Sequence, residues 1–485
     1  MSALKIDKRD VAWCRDGKFD EGFTDRFDEG SGSFEAGAPR RGMERAWAPW
    51  ARSLCAVLLI GACGDSKSTD PVGAGGTGIV AGAGGTGTAG GGGAGTAGGG
   101  GAAGSGGGAT ARAWLPSWAT TIQSTEPNNL PPALNGNTLR QFVWPTVSGS
   151  EIRIQLSNER GSTPVDIQKV HIAKALTQAD PGNSAGQIDA ATDVAFTFAG
   201  APSVTIPVGQ TVWSDPVAFN LQEIVLTAVT MQLGATVPPE ITGHPGARTT
   251  SYIATGDVVA EQSVTGETRD RWYFINAIEV MAREDAYAIA VLGDSITDGY
   301  GVLNRFGRWT DYLTLAIQND PQLADTRSVL NFGMGANNLT VSGQYQDSGV
   351  VRYGRDVVPR DKIKWLIVFE GTNDIIYSAV QAPAIIAAYQ QIIQSAHAEG
   401  ILVYGSPITP TNQGDAAIRA EVNAWIRTSG EFDQVIDFAA AIGDPNDPNA
   451  ILPMYNNDGL HPNIPGYEAM GNAVNLSLFY QTRPN

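Results

Sequence analysis

Val291-Leu-Gly-Asp-Ser-Ile-Thr-Asp-Gly299 decides how the second half of this chain is read. The apolar run from Tyr287 to Leu292 reads as a short buried strand, Gly293 breaks it, and Ser295 stands just past the break. An open parallel sheet presents groups to a ligand there, outside the carboxyl end of a strand. From Asp285 onward, apolar runs alternate with helical spacing. Ile289–Leu292, Ser328–Phe332, Trp365–Phe369, Ile401–Tyr404 and Val435–Phe438 are the strand candidates. Between them, Trp309, Tyr312, Leu313, Ala316 and Ile317 recur at the spacing of one helix face. Pro383 opens a second helix, with Ile385, Ile386, Tyr389, Ile392, Ile393 and Ala396 on one side and Gly400 at its end. Near the C-terminus Tyr467, Met470 and Val474 share a face of a third. Such alternation over residues 285–485 predicts an α/β domain, a parallel sheet with helices on both faces.

Upstream, over residues 113–284, the period changes to two. Glu151-Ile-Arg-Ile-Gln-Leu-Ser157 alternates cleanly, and Val165–Ile172, Ser203–Val208 and Glu223–Leu233 do so in part. Turn-forming residues separate these runs. The pattern predicts an all-β, antiparallel, jelly-roll-like sandwich. Trp144, Trp213 and Trp272 could line a sugar-binding face; core or domain-interface positions are the expected reading.

Residues 1–62 carry no globular pattern. Met43 opens a better start than Met1, because a basic stretch and the apolar Leu54–Ala62 follow it as in a signal peptide. Leu59-Ile60-Gly61-Ala62-Cys63 resembles the bacterial lipobox, which implies cleavage before Cys63 and lipid on that residue. Residues 63–112 then supply the lipidated cysteine and a Gly/Ala/Thr/Ser tract that cannot bury a core. As a flexible tether it spans roughly 35–40 Å. The three cysteines (Cys14, Cys55 and Cys63) all precede the globular part, so no disulfide and no Cys-based zinc site is expected there. The chain of 485 residues carries a net charge of −17 without a basic cluster, which argues against nucleic acid and against electrostatic docking on anionic lipid.

A serine hydroxyl needs a base beside it to act as a nucleophile. There are four histidines. His171 lies in a sandwich strand, His244 in a Gly-His-Pro-Gly turn, and His397 late in a helix. Of these, only His461 is expected to have an aspartate poised to orient it, Asp458, three residues earlier in a loop. A tetrahedral intermediate also needs hydrogen-bond donors, each worth on the order of 2.7–4 kcal/mol of barrier. The Ser295 amide, an amide of the loop Asn331-Phe-Gly-Met-Gly-Ala-Asn337 and the Asn373 side chain are the candidates. Asp294, Gly371 and Asp374 are expected to hold the loops, and Thr297 and Asp298 to shape the turn after Ser295. Glu370 is a candidate for a substrate contact or for a buried structural role. Gly64-Asp65-Ser66 repeats the core tripeptide where it can do no chemistry, so three letters alone identify nothing.

The blocks GDSITDG, NFGMGAN, GTND and DGLH, in that order, resemble the GDSL or SGNH hydrolases over residues 286 to about 480. The nearest resemblance is to a subgroup of arylesterases and acylhydrolases with a β-rich N-terminal domain, and Ser117-Trp-Ala-Thr-Thr, Leu139-Arg-Gln and Leu156-Ser-Asn-Glu are similar to its early part. The resemblance implies a flavodoxin-like sheet, Ser295 as nucleophile, Asp458 and His461 as its triad partners, and Asn373 as an oxyanion donor. It departs at one place: where the family carries glycine in the second block, this chain has Ala336. If that position requires φ > 0, alanine is strained by about 1–2 kcal/mol, and Gly335 becomes the alternative donor.

The expectation is an exported, lipid-anchored serine esterase that needs no metal or other cofactor and acts on short acyl groups, such as acetyl, of carbohydrate. An acylated polysaccharide is the expected partner, and the membrane is met only through the anchor. Hydrolysis of lipid or aryl esters, acyl transfer on the same triad, and non-catalytic carbohydrate binding are the alternatives. Oligomeric state is left open.

Overall fold

The computed structural model describes residues 112–178 and 186–480. The Met43 start, the three cysteines with the Cys63 lipidation site, the Gly64-Asp65-Ser66 copy and nearly all of the Gly-rich tract lie outside the described residues.

The N-terminal half is antiparallel. One sheet runs Arg112–Ala119, Ile275–Arg283, Gly149–Ser157 and Thr211–Trp213, with Val217–Leu221 also on Gly149–Ser157. A second runs Glu267–Arg269, Ser251–Ala254, Thr138–Val143, Thr227–Leu233, Val165–Lys174 and Val194–Ala195, with Val204–Ile206 also paired to Val165–Lys174. The alternation read at 151–157 is a burial pattern: Ile152, Ile154 and Leu156 are fully buried, in one core with Val165, Ile167, Val170 and Ile172 of the other sheet. Each such side chain contributes roughly 1.5–3 kcal/mol on burial.

Five parallel strands follow: β1 (Tyr287–Gly293), β2 (Arg327–Gly333), β3 (Ile363–Phe369), β4 (Leu402–Gly405) and β5 (Gln434–Val435). Their order is β2-β1-β3-β4-β5, the flavodoxin-like order, with its switch point between β1 and β3. The strands read as continuous apolar runs because both faces are covered. Ala288, Ala290, Leu292, Leu330, Phe332, Leu366 and Val368 join a core with helix Ala382–Ala398 and the antiparallel half. Ile289, Val291, Val329, Trp365, Ile367 and Phe369 face the other way, onto helices Trp309–Asn319 and Ile464–Ala473. The expected fifth strand is shorter than its apolar run. Asp437 accepts from the Ala440 amide as an N-cap, and Phe438 starts a helix, Phe438–Ile442, instead of ending a strand.

Register is what assembles the site. Gly293 pairs with Gly333 on one side and with Phe369 on the other, so β1, β2 and β3 end level. The loops carrying Ser295, Ala336 and Asn373 therefore leave the sheet at one edge.

Candidate active site

Ser295 begins a helix of one turn, Ser295–Asp298. Asp294 caps it, its Oδ1 accepting from the Ile296 amide at 2.9 Å. Gly299, at φ +82°, ends it. Gly293 is required by contact: a Cβ there would lie 2.1 Å from Thr297 Oγ1. The turn is held from the second strand as well, because Asn331 Nδ2 donates to the Thr297 carbonyl at 2.7 Å and to Thr310 Oγ1 at 2.9 Å.

The structure brings Ser295, His461 and Asp458 together. Ser295 Oγ lies 2.8 Å from His461 Nε2, and His461 Nδ1 lies 2.9 Å from Asp458 Oδ2. The other oxygen of Asp458 accepts from the amides of His461 at 2.8 Å and Leu460 at 3.1 Å. Partial burial pushes the Asp458 carboxyl up, but the amide and ring of His461 and the Leu460 amide outweigh it and hold the group below the usual range. It therefore stays an anion opposite the Nδ1 proton. The His461 imidazole stacks on Tyr300, with ring centroids 4.0 Å apart. Tyr300 is fixed in turn by Tyr467, whose hydroxyl donates to its carbonyl at 2.8 Å.

Asn373 sits on a short helix, Thr372–Ile376, that follows β3. One N–H of its amide donates to the Asn337 carbonyl at 2.7 Å; the second N–H is free to donate elsewhere. Ala336 has φ +58°, so the substituted position does demand the left-handed region. Among the described residues, the amides of Ser295, Gly335 and Ala336 make no hydrogen bond. Gly371, at φ +99°, turns the chain into the Asn373 helix. Asp374 accepts from the amides of Leu339 at 2.6 Å and Thr340 at 2.9 Å, and from the Thr340 hydroxyl at 2.5 Å. It ties the second loop to the third.

Three observations go beyond what the sequence showed or correct it. His461 is not the sole histidine with an aspartate. His171 lies 2.7 Å from Asp193, His244 lies 3.0 Å from Asp298, and His397 lies 2.8 Å from Asp433. What separates His461 is Ser295 on its other nitrogen. Glu370 is fully buried and paired at 3.1 Å with an equally buried Arg352, so it meets no substrate. Burial pushes the Glu370 carboxyl well above its usual range. Arg352 also donates to Asn337 Oδ1 at 2.6 Å and to the Phe332 carbonyl, bracing the second loop from below. Nothing in its local sequence marks it, because its partners, the Gly293 carbonyl at 3.4 Å among them, come from three separate strand ends. Trp144 and Trp272 are buried, as expected of core or interface residues. Trp213 is half-buried, with the Arg153 guanidinium 4.3 Å over its ring.

Residues 291–469 match the family model described as the GDSL-like Lipase/Acylhydrolase family. No curated protein matches the chain. Among solved structures, a member of the lipolytic protein G-D-S-L family from Veillonella parvula is 21% identical, with 40% of this chain and 98% of that one covered and a TM-score of 0.33. The aryl esterase of M. smegmatis is 18% identical (39% and 96% covered, TM-score 0.31). A carbohydrate acetylesterase family member from Sinorhizobium meliloti is 16% identical (39% and 94% covered, TM-score 0.32).

Proposed function

From the GDSL-like lipase/acylhydrolase domain that residues 291–469 form, we infer that this chain is a carboxylic ester hydrolase working through an acyl-enzyme on Ser295. The observation that carries the reading is the relay of contacts Ser295 Oγ to His461 Nε2 and His461 Nδ1 to Asp458. His461 takes the hydroxyl proton as Ser295 attacks the ester carbonyl. Asp458 fixes the tautomer and stabilises the imidazolium that forms. Charge on the carbonyl oxygen is met by the Ser295 amide, the free N–H of Asn373 and an amide at 335 or 336. As the intermediate collapses, the C–O bond to the alcohol breaks and His461 protonates the departing oxygen. Water then repeats the sequence in reverse and releases the acid.

The substrate we propose is carbohydrate carrying short acyl groups. The departing alcohol must lie beside His461, and there Tyr300, exposed and stacked on the His461 ring, puts an aromatic side chain within reach of a sugar. The same ring suits an aryl alcohol, which is the second reading. We further propose that the protein is exported and works on a tether from a lipidated Cys63. The lipobox-like sequence and the Gly-rich tract support this.

The test is hydrolysis of p-nitrophenyl esters from acetyl to palmitoyl and of acetylated xylan, with Ser295→Ala alongside. Turnover of short esters and of acetylated xylan, abolished by the substitution, is expected. No turnover of any ester, or turnover that survives Ser295→Ala, overturns the mechanism. Preference for long acyl chains overturns the carbohydrate assignment. For the anchor, membrane-bound wild type and soluble Cys63→Ser are expected; soluble wild type overturns it.

A further inference from the structure

The helix that carries Ser295 is gripped at its far end by the antiparallel half of the molecule. Asp298, three residues after Ser295, is almost fully buried. Its Oδ1 lies 3.0 Å from His244 Nε2, and its Oδ2 accepts from Arg248 at 2.8 Å. Its carbonyl accepts from Arg308 Nε at 2.9 Å, while that guanidinium also donates to the carbonyls of Gly246 at 3.1 Å and Ala247 at 2.8 Å. Burial alone would raise the Asp298 carboxyl, but Arg248, His244 and Arg308 outweigh it and hold the group at about 2.

His244 is itself pinned. Its Nδ1 lies 3.1 Å from the Thr121 carbonyl, and its ring stacks on Trp272 with centroids 5.6 Å apart. A backbone carbonyl and a carboxylate are both acceptors. Both ring nitrogens must therefore carry hydrogen for the two bonds to form together. Gly246 completes the fit: a Cβ at that position would lie 1.8 Å from Asp298 Oδ2, so only glycine lets the turn come this close.

We propose that His244 is a positioning residue for the nucleophile: by bridging the Thr121 carbonyl and the Asp298 carboxylate, it fixes the rotation of the one-turn helix that presents Ser295 to His461. A helix of four residues has little of its own to resist rotation. The hydroxyl-to-imidazole distance is 2.8 Å, and contacts at both ends of the helix are placed to keep it. Asp294 holds the start and the His244–Asp298 pair the finish. The proposal rests on Ser295 being the nucleophile.

The experiment compares His244→Ala, His244→Gln and Asp298→Asn with wild type and Ser295→Ala. Active sites are counted by the p-nitrophenol burst, and folding is checked by circular dichroism and melting. Per titrated site, His244→Ala is expected to lower kcat about 10- to 100-fold, the scale set by small misplacements of reacting groups, with KM changed less than about threefold. Labelling of the serine by a fluorophosphonate should slow by a similar factor. His244→Gln, which keeps one donor toward Asp298, should recover much of the loss. The double variant His244→Gln/Asp298→Asn should be no worse than the poorer single, because both act through one contact. If His244→Ala does not fold, the other two single variants and the double carry the same test. Folded variants whose kcat per site stays within twofold of wild type overturn the proposal, as does a rise in KM alone. If Ser295→Ala is as active as wild type, the serine-esterase reading itself has failed, and that outcome is distinct.

Discussion

His461 and His244 stand in nearly the same relation to an aspartate, at 2.9 and 3.0 Å, yet their surroundings assign them opposite tasks. Asp458 is 38% exposed in its side chain and sits in a loop; Asp298 is 3% exposed and surrounded by cations. The remaining nitrogen of His461 meets a hydroxyl, which can both give and receive a proton. The remaining nitrogen of His244 meets a carbonyl, which can only accept. A histidine between two acceptors holds its protons in place, whereas one between an acceptor and a hydroxyl can move one. The third partner, not the aspartate, makes the base.

The largest effect should come from breaking the open pair. Ser295→Ala or His461→Ala is expected to lower kcat by roughly 10⁴-fold or more, and Ser295→Ala should abolish the p-nitrophenol burst. His244→Ala should leave a burst and a much smaller deficit. Equal losses at the two histidines would erase the distinction drawn between them. Next in size is Asn373→Ala. In the proposed mechanism its amide donates toward the developing oxyanion, and in the structure it ties to the Asn337 carbonyl. A loss of about 10²–10³-fold in kcat, with KM little changed, is expected from steady-state kinetics on p-nitrophenyl acetate. A change confined to KM would show that Asn373 serves binding instead.

Legibility in the sequence followed the range of the forces involved. The parallel sheet showed as apolar runs because burial on both faces imprints itself on consecutive residues, and β1 to β4 emerged close to their expected ends. Ser295 and Asn373 showed because each stands at the start of a short helix just past a strand, and Asp458 and His461 because they share one loop, so the turn chemistry around all four is local. The His244–Asp298 contact joins residues 54 positions apart, and Arg352 reaches carbonyls and side chains on separate strand ends. Such contacts leave no period and no spacing. The aspartates beside His171, His244 and His397 were hidden for the same reason, since only Asp458 is near its histidine in the chain.

Asp294 and Asp298 show the same contrast within a single turn of helix. Both are fully buried, but Asp298 has cations around it and is held at about 2, whereas burial pushes Asp294 up to about 6. The Ile296 amide and the Thr372 hydroxyl pull it down again, but burial outweighs them. A carboxyl raised in the folded state binds more protons there than in the unfolded chain, so its contribution falls as pH rises from about 4 through about 6. Asp294→Asn keeps the cap oxygen toward the Ile296 amide and removes the buried carboxylate. Relative to wild type it should gain about 1–3 kcal/mol above pH 6 and little at pH 4. For Asp298→Asn the sign reverses. The depressed carboxyl stabilises the fold above its unfolded pKa, so the variant should be weaker at neutral pH, with the deficit closing as pH falls toward 2. Urea melts at several pH values read both differences. A pH-independent difference for either variant would show that its hydrogen bonds, not its charge, carry the effect.

The smallest effect is expected at Ala336, where the open site stores strain that the buried clamp avoids. At Gly246 the chain uses glycine to let Asp298 approach, while at Ala336 it accepts φ +58° with a side chain present. Relieving that conformation is worth about 1–2 kcal/mol, and glycine returns about 0.4–1 kcal/mol of that through the freer unfolded chain. Ala336→Gly should therefore raise stability by about 0.5–1 kcal/mol in a urea melt. The amide is unchanged by the substitution, so kcat should stay within about twofold if the loop already holds its working geometry. A gain in stability accompanied by a drop in kcat would mean that alanine is kept to hold the loop rigid beside the nucleophile. The strain would then belong to the mechanism.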